Sequence, residues 1–132
     1  MNHLEAHLDY DHSDIDAARQ LATLAEEAVD EARMRRAYEL IIEIDPFDVT
    51  PHQALGRLAM AREDHGVAAR EFRVTLAIGP LDRVGVHVDL AESYLAGGQS
   101  DEAKREVIAA REIAPTYHRA QDLVLRIVEG AQ

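Results

Sequence analysis

Three of the four prolines stand at a nearly constant interval, and that interval constrains the fold more than anything else in the chain. Pro46, Pro80 and Pro115 are separated by 34 and then 35 residues. An isoleucine lies two residues before each of them (Ile44, Ile78, Ile113), and a bulky apolar side chain lies eight before (Tyr38, Phe72, Val107). Twelve before come Met34, Ala68 and Ala103. Twenty-five before come Leu21, Leu55 and Leu90, each followed at once by a small residue: Ala22, Gly56 and Ala91. A period of this length marks stacked supersecondary units, none of which can bury its apolar face alone.

Each interval reads as two helices, because its apolar residues recur at steps of three and four. Leu55, Leu58 and Ala59 form one stripe of the middle unit, and Ala68, Ala69, Phe72 and Leu76 form the next. The pattern predicts helices over 14–29, 31–44, 50–62, 65–78, 83–96, 100–113 and 117–129. Thr50-Pro51-His52-Gln53 fits a capping box that starts the third helix. Gly97-Gly98 breaks the third unit into halves, and Ser100 is placed to cap the helix that follows. Each proline ends the second helix of its unit, since the residue before proline avoids the helical region. The first unit has no glycine at its internal turn, only Ala28-Val29-Asp30-Glu31. Two readings of 14–44 stay open there, a helical hairpin or one long kinked helix.

The pattern resembles the tetratricopeptide repeat (TPR) family over about residues 15–129. The resemblance rests on the leucine-small pairs Leu55-Gly56 and Leu90-Ala91, on the small residues Ala68 and Ala103 early in the second helices, and on the terminal prolines. Tyr94 keeps the family's late aromatic of the first helix, and Ala59 has lost it. The family's early aromatic is replaced by His52 and His87, and by Ala18 in the first unit. The resemblance implies an all-α fold, with antiparallel helix pairs stacked into a right-handed superhelical solenoid of about seven helices. The units are expected at 15–48, 49–83 and 84–117, with a capping helix at 118–129. Residues 1–13 are expected to be a flexible acidic segment outside the repeat domain 14–129.

Composition narrows the function. The formal charge is −11, and residues 1–30 alone hold eight acids against Arg19. A nucleic-acid partner needs a basic stripe, so this balance points away from DNA and RNA. No apolar run is long enough to span a membrane, and no secretory leader is visible, so a cytoplasmic location is expected. There is no cysteine. No nucleophile elbow, phosphate loop or nucleotide fingerprint occurs, and the chain is not expected to be an enzyme or to need a cofactor. His3 and His7 stand four apart, a spacing that suits a metal on a helix, but without a further ligand scaffold they are weak candidates. His52 and His87 hold equivalent slots 35 apart. They are read as half-buried packing residues, and a pH-sensitive pair is the sharper alternative.

In the resemblance family the first helices line a concave groove that holds a peptide. By slot, this implies a partner-binding face of Gln53, Arg57 and Met60, then Val88, Glu92 and Leu95, then Arg119, Asp122 and Arg126. Such a face suits a protein or peptide with an apolar anchor and some acids. The family's carboxylate clamp of lysines and asparagines is not matched, since the only lysine is Lys104 and the only asparagine Asn2. The last helix carries Leu123, Val124, Leu125, Ile127 and Val128 on more than one face, which suggests self-association, with a homodimer as one outcome. An accessory role beside a catalytic part elsewhere is the remaining alternative.

Overall fold

The computed structural model describes residues 12–130. Seven helices follow one another there, and no strand occurs among the described residues. They are α1 (His12–Glu27), α2 (Glu31–Ile44), α3 (Val49–Ala61), α4 (His65–Ile78), α5 (Arg83–Ala96), α6 (Ser100–Ile113) and α7 (His118–Gly130). Neighbours in sequence are neighbours in space, with α1 on α2, α3 on α4 and α5 on α6 as pairs, and α2 on α3 and α4 on α5 joining them. This is a stack of helical hairpins. His3 and His7 lie outside the described residues.

One turn is built three times. Val29, Glu63 and Gly98 occupy the same repeat slot, and all three have positive φ, at 52°, 61° and 82°. After each, an amide reaches back five residues: Asp30 to the Ala25 carbonyl at 2.9 Å, Asp64 to Ala59 at 2.8 Å, and Gln99 to Tyr94 at 2.8 Å. These bonds close the end of the first helix in a Schellman-type turn. Residues 14–44 are therefore a hairpin and not one long helix, although the left-handed position falls on a β-branched valine.

Aspartates start the helices. Asp30, Asp48, Asp64 and Asp82 each accept an amide of the first turn that follows, at 3.1, 3.0, 3.4 and 2.8 Å. Two capping expectations need correction. The cap of α3 is Asp48 and not Thr50, which lies inside the helix. Ser100 is the first residue of α6, and Gln99 precedes it without a side-chain cap bond. Asp101 and Glu102 do sit in that first turn, where the helix dipole favours acids. Ahead of their prolines, Asp45 and Ala114 leave the helical region, at φ −136° and −140°.

Most of the slots that repeat in sequence pack, although Leu21 and Ile113 stay exposed. Phe72, Leu90, Ala91, Ala68, Ala103 and Val107 are buried in one cluster, and Ala18, Ala22, Ala37, Tyr38 and Ile41 in another. Gly56 shows why the residue after the leucine must be small. A Cβ there would lie 2.6 Å from Phe72 Cε1. The middle unit sets the Phe72 ring against a residue with no side chain, while the third has Ala91 and the smaller Val107 in those slots. The two histidines pack between helices as expected. His52 Nδ1 lies 2.8 Å from Glu71 Oε1, and His87 Nδ1 lies 2.8 Å from Glu106 Oε1. His52 Nε2 also lies 3.3 Å from the Pro46 carbonyl. The first unit replaces both members of the pair, with buried Ala18 and Ala37 in those slots.

Candidate functional site

Consecutive first helices are tied along one side of the stack by ion pairs. Arg19 on α1 reaches Asp48 at the start of α3, at 3.2 Å. Arg119 on α7 reaches Asp89 and Glu92 on α5, at 2.6 and 3.0 Å. Between these ties run two clefts. One, of about 330 Å³, is lined by Arg19, Thr23, Glu26, Tyr38, Asp48 and Pro51 among others. The other, of about 190 Å³, is lined by Arg57, Met60, Phe72, Asp89 and Glu92.

The second cleft has an apolar floor and charged walls. Phe72 is fully buried and Met60 half-buried, and the Met60 sulfur accepts from the Ser93 hydroxyl at 3.2 Å. Burial weakens Asp89 as an acid, raising its pKa by more than the Arg119 bond and the nearby Arg57 charge lower it. Burial opposes the charge on Arg119, yet its bonds to Asp89 and Glu92 hold it firmly protonated. In the first cleft, burial and a hydrogen bond to Glu26 hold the Tyr38 hydroxyl protonated, and Arg57 acts against them only weakly. Arg57 thus stands between two acid-bearing clefts. It is exposed, and among the described residues it makes no ion pair.

Of the nine residues that the resemblance implies, three (Arg57, Met60 and Glu92) share one cleft. Arg119 is committed to Asp89 and Glu92. Gln53 and Leu95 are half-buried, and Asp122 and Arg126 are exposed on α7. Val88 is a correction. It is wholly buried in the core cluster and offers no surface to a partner. The same holds for two of the five apolar residues expected to self-associate, since Leu123 and Ile127 pack into that core. Val124 is half-buried against it, and only Leu125 and Val128 stay exposed. Asp89 and Phe72 were not read from the sequence as part of a site. The available signal was an acid inside the apolar run Val84-Val86-Val88-Leu90 of α5.

No helix among the described residues is long and apolar enough to cross a membrane. No protein-family model and no curated protein matches the sequence. Solved structures do match. The first TPR domain of Spaghetti (RPAP3), bound to an HSP90 peptide, superposes with a TM-score of 0.78 at 12% identity, covering 92% of this chain and 95% of that one. The Yersinia enterocolitica type III secretion chaperone SycD, in complex with a peptide of the translocator YopD, gives 0.71 at 15% identity and covers 92% of each chain. An O-GlcNAc transferase of Thermobaculum terrenum gives 0.66 at 28% identity over 82% of this chain, which spans 21% of the transferase. The stacked hairpins described above, with their shared slots and turns, are the tetratricopeptide-repeat fold.

Proposed function

We infer that this chain is a protein-interaction module that binds an extended or helical peptide of a partner along the first-helix side of the stack. The observation that carries this reading is the cleft of Arg57, Met60, Phe72, Asp89 and Glu92. It is a small cleft with an apolar floor and charged walls, beside an exposed arginine that makes no ion pair among the described residues. An apolar ligand side chain fills such a cleft, and a ligand carboxylate supplies the missing partner of Arg57. Met60 suits an adaptable floor, because its unbranched side chain repacks around different anchors. Two of the structural relatives were solved with peptides, which is consistent with this use of the fold.

Selection from a random peptide library tests the proposal. Retained peptides should combine an apolar residue with an acid, and Arg57→Glu should weaken them by about 1–3 kcal/mol. Retention that is indifferent to Arg57→Glu would assign binding to another face. A second reading has one observation in its favour, the likeness to a fifth of the transferase's length. On that reading the chain is the accessory part of a larger enzyme, and it still acts by presenting a partner.

A further inference from the structure

The cleft that carries the proposed function has a counterpart one repeat earlier, built from the same slots with different chemistry. Thr23, Glu26 and Tyr38 of the first cleft stand 34 residues before Arg57, Met60 and Phe72 of the second, and each set lines its own cleft. Adjacent units thus offer two clefts in succession along the first-helix side. Where the second has Arg57 and Met60, the first has Thr23 and the carboxylate of Glu26.

The bonds inside the first cleft decide what it leaves free. Its charged lining is Arg19, Asp48 and Glu26. Arg19 and Asp48 pair with each other at 3.2 Å, and Glu26 makes no ion pair among the described residues. The Thr23 hydroxyl donates to the Arg19 carbonyl at 3.1 Å, and the Tyr38 hydroxyl donates to Oε1 of Glu26. Burial and that bond hold Tyr38 protonated, so the phenol stays a neutral donor committed to one carboxylate oxygen. What the cleft offers a ligand is chiefly acceptor capacity, led by the second oxygen of Glu26. An ammonium or guanidinium group matches it, since both are cations with several donors and no acceptor. The two clefts are therefore opposite in preference, with Arg57 lacking an acid in one and Glu26 lacking a base in the other. Helices packed side by side lie about 10 Å apart, and an extended chain covers that distance in about three residues. On the footing of the groove function, we propose that the first cleft receives a lysine or arginine side chain of the same ligand that sets its acid on Arg57, so that the recognised segment carries a base and an acid about three residues apart in an extended chain.

Random peptides selected in parallel on the parent, on Glu26→Gln and on Arg57→Glu separate the outcomes. Glutamine keeps an acceptor for the Tyr38 hydroxyl, so Glu26→Gln should melt with the parent. Peptides selected on the parent should carry lysine or arginine at a fixed spacing of about three from the acid. That enrichment should vanish on Glu26→Gln while the acid is kept. For one parent-selected peptide, replacing its base by glutamine should weaken binding to the parent by about two- to fivefold, the range of an exposed ion pair. The same replacement should leave binding to Glu26→Gln unchanged, which isolates the contact. A base that is absent from the selected peptides, that persists on Glu26→Gln, or whose replacement costs the parent nothing would overturn this subsite and leave the role of Arg57 standing. Acids selected as strongly on Arg57→Glu as on the parent, or no retained peptide at all, would sink the groove function and the subsite with it.

Discussion

Val29 offers a direct test of how the first hairpin is made. It sits at φ 52°, in the slot that the third unit fills with Gly98, and its side chain is 76% exposed. The left-handed region costs an L-residue about 1–2 kcal/mol, and glycine almost nothing. Against that gain, glycine adds about 0.5–1 kcal/mol of backbone entropy to the unfolded chain. Little packing is lost, because most of the valine faces solvent. Val29→Gly should therefore stabilise the protein by about 0.5–1 kcal/mol and raise its melting temperature by roughly 2–3 °C. The reverse change, Gly98→Val, should lower stability by a comparable amount. Urea unfolding followed by circular dichroism, run on both variants beside the parent, reads the two differences directly. Loss of stability in Val29→Gly would refute the reasoning, since the valine would then be contributing contacts that outweigh its backbone strain.

Three further outcomes follow from the packing and electrostatics. Gly56→Ala places a methyl against the buried Phe72 ring; overpacking of about 1–3 kcal/mol should exceed the helix-propensity gain of about 1 kcal/mol, so chemical denaturation should show a net loss. Asp89 is held above its ordinary pKa by burial, so its contribution to stability is complete at acid pH and is lost as pH rises through the folded value; Asp89→Asn should match the parent below about pH 4 and become the more stable of the two as pH rises towards neutrality. A parent that outlasts Asp89→Asn at neutral pH would contradict that sign. His52→Phe removes the close partner of Glu71, whose side chain is only 13% exposed and keeps just the longer 3.7 Å contact with Arg70, and unfolding should register a loss of about 1–3 kcal/mol that Glu71→Ala in the same chain partly restores.

The repeat period was legible because most of its slots pack. Tyr38, Phe72 and Val107 are buried eight residues before each proline, and the bounds of α4, α5 and α6 fell where the pattern put them. The start of α3 was assigned to the wrong cap. Thr50 and Asp48 are both good capping residues two positions apart, and the backbone conformation that decides between them is not written in either. The first hairpin stayed ambiguous because its left-handed slot holds a valine and not a glycine, and the cap Asp30 alone does not mark a reversal. The reversal comes from packing Ala18 and Ala22 against Ala37, Tyr38 and Ile41, a tertiary effect. Site residues were harder still. Slot arithmetic places a residue on a helix but not its burial, so Val88 was assigned to the binding face although it faces the core, and Leu123 and Ile127 were assigned to a contact surface although they seal the last helix. Asp89 escaped notice because its importance arises from burial and from Arg119, thirty residues away.

The central claim is that a ligand lies on the first-helix side with its acid on Arg57 and its apolar anchor over Met60. Isothermal titration of one library-selected peptide against the parent, Arg57→Glu and Arg36→Glu tests it most directly. The account predicts that Arg57→Glu weakens binding about fivefold or more while Arg36→Glu, on α2, leaves it unchanged. Equal affinity for all three proteins, or a loss confined to Arg36→Glu, would contradict it.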